Sequence, residues 1–194
     1  MARFFRRYKS TIYGNYRKAY CVDGVLTGVC MSALMAIRDL IASKPMASPE
    51  NYVTEIILAV GILWSTYQYR KQLPEGKVTF KELMLLGLGI GVVSAVVYGL
   101  WVWLNCGVLS PERVIYYNEQ RMAVMDAPEQ SAEAAIAIEK VKAYTAGDWA
   151  FIGGFRSAVM SIIISFFAAL IFRTEKGTVV TKEQKTENSK QTQK

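Results

Sequence analysis

The sequence predicts an all-α polytopic membrane protein, with four transmembrane helices in a bundle and an extracytoplasmic helical hairpin between the third and the fourth. The strongest signals are segment 83–106, which has no charged residue, and segment 149–172, whose single charge is Arg156. The hydrocarbon core of a bilayer needs about 20 consecutive apolar residues of helix, and both segments exceed that length. They are therefore predicted to be spans three and four.

Two weaker segments come earlier in the chain. Segment 19–37 has Asp23 as its one charge, and segment 51–69 has Glu55 as its one charge. Each alone is also compatible with a buried helix of a soluble domain, but beside two strong spans the membrane interpretation is favoured. A cleaved signal peptide is the rival interpretation of the first segment. It is disfavoured because a long basic stretch precedes the segment and no A-x-A-like site follows it.

The composition excludes several classes of function. The chain has 194 residues, 52% of them hydrophobic, with a formal net charge of +7 and no histidine. Without imidazole, Ser-His-Asp triads, Cys-His dyads and most zinc sites are excluded. Three cysteines are too few for a disulfide-stapled secreted domain. We expect them to be buried small apolar residues: Cys21, Cys30 and Cys106.

The charges between the spans predict the orientation. Segments 1–18, 70–82 and 173–194 hold 16 Lys and Arg residues, against 6 in the alternate segments 38–52 and 107–148. Because basic residues are retained on the cytoplasmic side, both termini are predicted to be cytoplasmic. The predicted outer interface then carries the aromatic residues Trp101, Trp103 and Trp149.

The membrane domain is predicted to cover 19–175, and three other regions have their own character. Segment 1–18 has aromatic and basic residues at helical spacing, which favours an amphipathic helix on the inner leaflet over a nucleic-acid-binding arm. Loop 107–148 is too long to lack structure, and its helix-start signals predict two helices. These form either a solvated cap on the bundle or an outward docking surface. The polar tail 176–194 is predicted to be disordered.

Small residues recur at four-residue spacing on three of the predicted spans. Lipid gives no hydrophobic drive for helix association, so stripes of small residues that allow close backbone approach are the usual means of packing. Packing within one chain is favoured, and an interface between copies is the alternative. The candidate packing residues are Gly24, Gly28 and Ser32 on span one, Gly87, Gly91, Ala95 and Gly99 on span three, and Ser157, Ser161 and Ser165 on span four.

The candidate functional residues are the charges within the spans, Asp23, Glu55 and Arg156, because a charge at mid-bilayer costs about 2.5–3.5 kcal/mol. Helical rise places Arg156 about 10 Å and Glu55 about 5 Å below the outer interface, a difference that an arginine side chain can bridge. We expect these two to pair. Asp23 lies near the inner interface, and its expected partner is Arg17, Lys18 or Lys81. Structural pairing is favoured over an ion or proton path, which would need charges at matched or stepped depths.

The order of these features resembles a known family. Tyr69–Lys81, YRKQLPEGKVTFK, joins a short polar loop to a Gly-rich span that begins ELMLLGLG. A long acidic-leaning helical loop and a Ser-rich last span ending at Arg173 follow. This arrangement is similar to domain-of-unknown-function family 4199, small four-span membrane proteins found mainly in Bacteroidetes, over residues 19–175. The resemblance implies an inner-membrane location and four helices, and it implies no activity or cofactor.

The sequence thus predicts an integral inner-membrane protein that acts as a non-enzymatic structural or interaction component. The alternative is a small transporter, channel or transport-accessory protein that uses the three intramembrane charges. No catalytic, cofactor-binding or metal-ligating residue is nominated, and an enzyme is not expected. The expected partners are the lipid bilayer and either a further copy of the chain or a larger membrane complex, with no nucleic acid.

Overall fold

The described part of the chain is helical, which confirms the predicted all-α class. The computed structural model describes residues 16–41, 52–72, 78–125 and 132–173, and no strand occurs within these ranges. The helices are α1 (Tyr16–Ile41), α2 (Tyr52–Gln72), α3 (Phe80–Leu104), α4 (Glu112–Met125), α5 (Ala132–Lys142) and α6 (Ala146–Phe172), and a π-helical turn, Asn105–Leu109, continues α3. Residues 1–15 of the predicted amphipathic segment and the predicted disordered tail 176–194 lie outside the described residues.

Three of these helices are long and apolar enough to cross a membrane. They cover Lys18–Leu40, Phe80–Leu109 and Ala146–Phe172. Helix α2 forms where a fourth span is predicted, but it is not among the three. The physical reason is its second half, where Ser65, Thr66 and Gln68 dilute the apolar content.

The surface of the bundle is apolar on the faces that a soluble protein would cover with charge. Large hydrophobic side chains are exposed along all of the long helices, and on α6 they follow one another from end to end: Phe151, Phe155, Val159, Ile162, Ile163, Phe166, Phe167, Leu170 and Ile171. A helix that is apolar on its outer as well as its inner side is typical of a lipid environment. The exposed faces and the three long apolar helices together indicate a membrane protein.

Helix α3 is the centre of the bundle. Its most extensive contacts are with α6 and then with α1, and these two helices make no extensive contact with each other. They therefore flank α3. Helix α2 contacts α1, α3 and α6, so it covers one side of this three-helix layer. The opposite side of α3 stays exposed, at Val92, Val96, Leu100 and Trp103.

The small-residue stripes on α3 and α6 pack against each other within the chain. A methyl group on Gly87 would lie 2.7 Å from Ser165 Cβ, and one on Gly91 would overlap Ser161. Nearer the end of α3, a methyl group on Gly99 would lie 3.2 Å from the carbonyl oxygen of Ala150. The two backbones can approach this closely only because the facing residues are small.

The stripe on α1 packs on another side of α3. Methyl groups on Gly24 and Gly28 would each lie 2.7 Å from the Cβ of a valine, Val93 and Val97 respectively. The Ser94 hydroxyl also donates a hydrogen bond of 2.9 Å to the Gly24 carbonyl oxygen, across the α1–α3 interface. In this structure the stripes serve packing within one chain.

The end of the bundle at which α1 and α3 end and α2 and α6 begin is called here the capped end. Helix α4 follows the π-helical turn at this end, and α4 packs against α5. Two helices therefore form within the predicted loop 107–148. Most of the polar side chains of the candidate functional site lie at the capped end.

The close approach of α3 and α6 makes a specific prediction about glycine. Gly91→Ala should lower the free energy of unfolding by about 1–3 kcal/mol, because the added methyl group overlaps Ser161 and forces the helices apart. Gly147→Ala is the matched control, since its methyl group would make an ordinary contact of 3.6 Å with Thr145 Oγ1. Reversible unfolding in mixed micelles measures both. Equal stability of the two variants would contradict the packing account.

Candidate functional site

The predicted ion pair between Glu55 and Arg156 forms. Arg156 Nε donates to Glu55 Oε1 at 2.5 Å, which joins the first turn of α2 to the third turn of α6. The carboxylate side chain is 10% exposed and the arginine side chain 30% exposed. The guanidinium also lies 5.0 Å from the centre of the Tyr52 ring, an arrangement that favours a cation over the ring face. Two predicted functional residues are thus brought together near the capped end.

A second group of charges at this end was not predicted. Asp39, in the last turn of α1, accepts a charge-assisted hydrogen bond at Oδ2 from Arg113 Nη1 at the start of α4. Asn105 Nδ2 lies 3.4 Å from the same oxygen. Arg38 Nη2 lies 3.9 Å from the other carboxylate oxygen, Oδ1. This group, Arg38, Asp39, Asn105 and Arg113, is called the Asp39 cluster below.

Burial in the Asp39 cluster is unequal. The Asp39 side chain is 4% exposed, whereas the side chains of Arg113 and Arg38 are 16% and 25% exposed. Removing a carboxylate from water is favourable only when it is paired and hydrogen-bonded, so the two arginines are what allow Asp39 to be buried. The cluster consequently presents its cations outward and its anion inward.

The π-helical turn supplies one member of the cluster. The wider turn closes with a hydrogen bond of 2.8 Å from Ser110 N to the Asn105 carbonyl oxygen, and it buries Asn105 and Cys106 together. π-Helical turns are rare and are frequently found at functional sites. Here the turn contains Asn105, whose amide nitrogen faces Asp39 at the end of α1.

A buried aromatic group holds the middle of α4. Trp149, 1% exposed, donates from Nε1 to Asn118 Oδ1 at 2.8 Å. Asn118 Nδ2 in turn lies 3.1 Å from the Tyr144 carbonyl oxygen and 3.4 Å from that of Lys142. The rings of Tyr117 and Tyr144 meet the Trp149 indole edge-on, with centroids 5.5 and 5.8 Å away. Trp149 therefore lies at the capped end with its ring covered by the cap helix, and its depth at the outer interface of a membrane stays a prediction.

Burial also affects Tyr117. Desolvation, with smaller effects from the nearby Cys106 and Asp39, raises the pKa of the Tyr117 hydroxyl well above its usual value.

Helix α4 crosses the capped end of the bundle. Its residue Arg113 is fixed to the end of α1, and its residues Tyr117 and Asn118 are fixed to the beginning of α6. Because α1 and α6 flank α3, a helix attached to both must pass over the end of α3. The ion pair and the Asn118–Trp149 bond are polar attachments that join this crossing helix to α1 and to α6.

The remaining predicted residues are placed as follows. Asp23 is half-buried on α1, far from the capped end, and its expected pairing with Arg17, Lys18 or Lys81 stays a prediction. Ser157 Oγ donates to the Gly153 carbonyl oxygen, and Ser32 Oγ to that of Gly28, each within its own helix. The expectation of three buried cysteines is wrong, since Cys106 is buried but Cys21 and Cys30 are exposed on α1.

The chemistry that these residues offer is ionic pairing. Within the described ranges no group of three or more Cys, Asp or Glu side chains is placed to hold a metal ion. The carboxylates at the capped end, Glu55 and Asp39, each face an arginine from a different helix. Sequence reasoning missed the second pair because Arg113 lies in the predicted loop 107–148, whose path over the bundle has no local signature. One feature of the sequence points to this pair: Asp39 is an acidic residue that follows the apolar run of α1.

Comparison with known proteins gives one match. The family model described as "Protein of unknown function (DUF4199)" matches residues 23–174. This range includes the capped end and all of the charged residues discussed above except those before residue 23. No curated protein and no solved structure matches the chain.

The Asp39 cluster predicts how the cap is held. Asp39→Asn should weaken the attachment of α4 by about 1.5–3 kcal/mol, because the partly buried Arg113 guanidinium loses a charged partner. Hydrogen exchange of the α4 amides should accelerate, while that of the middle of α3 should change little. Glu119→Gln is the control, since it removes an exposed carboxylate from the same helix. Unchanged α4 exchange in Asp39→Asn would refute the attachment.

Proposed function

Because the chain belongs to the DUF4199 family, whose function is unknown, we propose its role from its own contacts. The protein is a four-span integral protein of the bacterial inner membrane with both termini in the cytoplasm. It acts as a non-enzymatic structural or interaction component. The observation that supports this role best is that the buried charges at the capped end join helices to one another.

Helix α2 is the fourth span in this proposal. It contacts all three of the long apolar helices, which is the position of a helix that crosses with them. Its polar side chains Ser65, Thr66 and Gln68 are buried, and Thr66 Oγ1 donates to the Ile62 carbonyl oxygen at 2.7 Å. Its exposed side chains are mostly apolar: Val53, Ile56, Val60, Leu63, Trp64 and Tyr67. A helix that turns its polar groups inward is compatible with lipid despite a modest mean hydropathy.

The orientation rests on charge. The segments that adjoin the end opposite the cap hold 16 Lys and Arg residues, against 6 on the capped side. The positive-inside rule then directs the capped end, with α4 and α5, outward. In this orientation the cap is an extracytoplasmic hairpin over the bundle.

A transport role is the second candidate, and one observation favours it. Arg156 is 30% exposed in the midst of an apolar helix, so its pair with Glu55 is open on one side. A transporter needs an ionisable group that a substrate or proton can reach. The two candidates differ in what the pair does: it fastens α2 to α6 in the first and exchanges partners in the second.

The fourth span can be tested by labelling. The exposed Cys21 and Cys30 are replaced by Ala, and the buried Cys106 is retained. Single cysteines are then introduced as Ser48→Cys, between α1 and α2, and Glu75→Cys, between α2 and α3. In intact spheroplasts an impermeant maleimide should label the first, and label the second only after permeabilisation. Labelling of both from the same side would mean that α2 does not cross.

The role of the ion pair can be tested by breaking and neutralising it. Arg156→Leu leaves Glu55 as a buried unpaired charge and should lower the free energy of unfolding. Breaking a fully buried pair costs about 3–5 kcal/mol, and the loss here should be smaller because solvent partly screens the pair. Adding Glu55→Gln removes that charge and should restore most of the stability. The structural role would be refuted if Arg156→Leu unfolded like the unaltered protein. Loss of ion or proton flux in proteoliposomes from a stable variant would favour transport.

A further inference from the structure

One face of α2 is apolar along its length and ends in two basic residues. Its exposed apolar residues follow one another at three- and four-residue spacing, which places them on the same side of the helix: Val60, Leu63, Trp64 and Tyr67. Arg70 and Lys71, in the last turn, continue the same spacing three and four residues after Tyr67. These six residues are called the α2 face below.

The basic end of the α2 face lies beside the end of α6. The Lys71 ammonium group lies 6.0 Å from the centre of the Tyr67 ring, and that ring centre lies 6.1 Å from the centre of the Phe172 ring. Phe172 is the last residue of α6, which is one of the three helices long and apolar enough to cross a membrane. The ammonium group therefore lies where an apolar span ends, which is the depth of lipid headgroups.

The length of the α2 face matches one leaflet of a bilayer. Helical rise makes the distance from Val60 to Lys71 about 16 Å. Half of the hydrocarbon core of a bilayer is about 15 Å thick. The rings of Trp64 and Tyr67 fall in the part of the face nearest the basic end, where aromatic side chains are favourable at a membrane interface. The face is thus as long as a single phospholipid.

Positive charge is in excess at this end of α2 and α6. The acidic residues of the two helices, Glu55 and Asp148, both lie in the first turn, at the capped end. Neither Arg70 nor Lys71 forms an ion pair with a residue that the structure describes. The segments that adjoin this end do not offset the excess, because 1–18, 70–82 and 173–194 together hold 16 Lys and Arg residues against 5 Glu residues.

We propose that the α2 face binds one phospholipid with an anionic headgroup. The headgroup accepts hydrogen bonds from Arg70 and Lys71, and an acyl chain lies along Leu63 and Val60. A free anion would leave the apolar part of the face without a partner, and a zwitterionic lipid would leave the positive charge unbalanced. The depth of the site is set by the end of α6, so the proposal does not depend on the orientation argued above.

The test uses delipidated full-length protein in detergent, with native mass spectrometry and thermal unfolding as readouts. Dioleoyl-phosphatidylglycerol, dioleoyl-phosphatidylcholine and inorganic phosphate are compared as ligands. We expect one phosphatidylglycerol to be retained at least about fivefold more tightly than phosphatidylcholine, which is the effect of one cation at a membrane surface. It should also raise the midpoint of unfolding, and phosphate alone should not. Equal binding of the two lipids, or stabilisation by phosphate alone, would overturn the proposal.

Variants separate the α2 face from the charge of the whole protein. Arg70→Gln together with Lys71→Gln should abolish the preference for phosphatidylglycerol, whereas Arg70→Lys together with Lys71→Arg keeps both charges and should keep the preference. Lys140→Gln together with Lys142→Gln is the matched control, since it removes two exposed cations from the last turn of α5 and should change nothing. An equal loss of preference in this control would assign the effect to net charge and overturn the site.

A competing role for the two cations is to stabilise the end of α2, because basic residues are favourable near the carboxyl end of a helix. That role gives no preference among lipids. If the double Gln variant at Arg70 and Lys71 unfolded at a lower temperature but still retained phosphatidylglycerol more tightly than phosphatidylcholine, the cations would serve the helix end alone. The proposal would then be overturned.

Discussion

The close approach of helix backbones at α3 is the constraint on which the rest of the structure depends. Glycine and serine on α3 and α6 bring the two helices to distances at which even one methyl group does not fit at Gly91. Van der Waals contact is the main attraction available to apolar helices in lipid, and it falls off steeply with separation. With α3 held this tightly to α6 and to α1, the three helices have a fixed spacing, which the polar contacts of the capped end require.

The cap depends on that rigidity because its polar attachments reach different helices. Arg113 contacts α1, and Asn118 accepts from Trp149 of α6. Asn118 uses its carbonyl oxygen for the indole and its amide nitrogen for carbonyl oxygens that precede α6, so a buried amide has partners on both sides. A buried polar group with all its partners stabilises one arrangement, whereas a shift of α4 would leave several of these groups without partners. The crossing helix is therefore fixed in place by satisfaction of polar groups together with the burial of Tyr117 against Trp149.

Sequence reasoning predicted the features that arise from local pattern and failed for those that depend on distant partners. The apolar runs of α1, α3 and α6 predict long helices, and the four-residue spacing of their small residues predicts tight packing. Depth along the helices was sufficient to pair Glu55 with Arg156, since both lie near one end. The Asp39 cluster could not be found in this way, because Arg113 lies in the predicted loop 107–148. The path of that loop over the bundle has no local signature. The burial of Trp149 has no local signature for the same reason: its position at the start of a span is typical of an interfacial residue, and only the fold of α4 reveals that it is covered.

The small-residue stripes and the ion pairs contribute differently to the fold. A stripe that repeats every four residues is nearly self-similar, so α6 could slide along α3 by one repeat, about 6 Å, and still place small residues opposite small residues. The same holds for Gly24 and Gly28 against the valines of α3. The ion pairs have no such repeat. A slide of 6 Å would separate Arg156 from Glu55, and one between α1 and α3 would take Asp39 away from Asn105. The stripes therefore supply the attraction between helices, and the charges at the capped end select one register from several that the stripes permit.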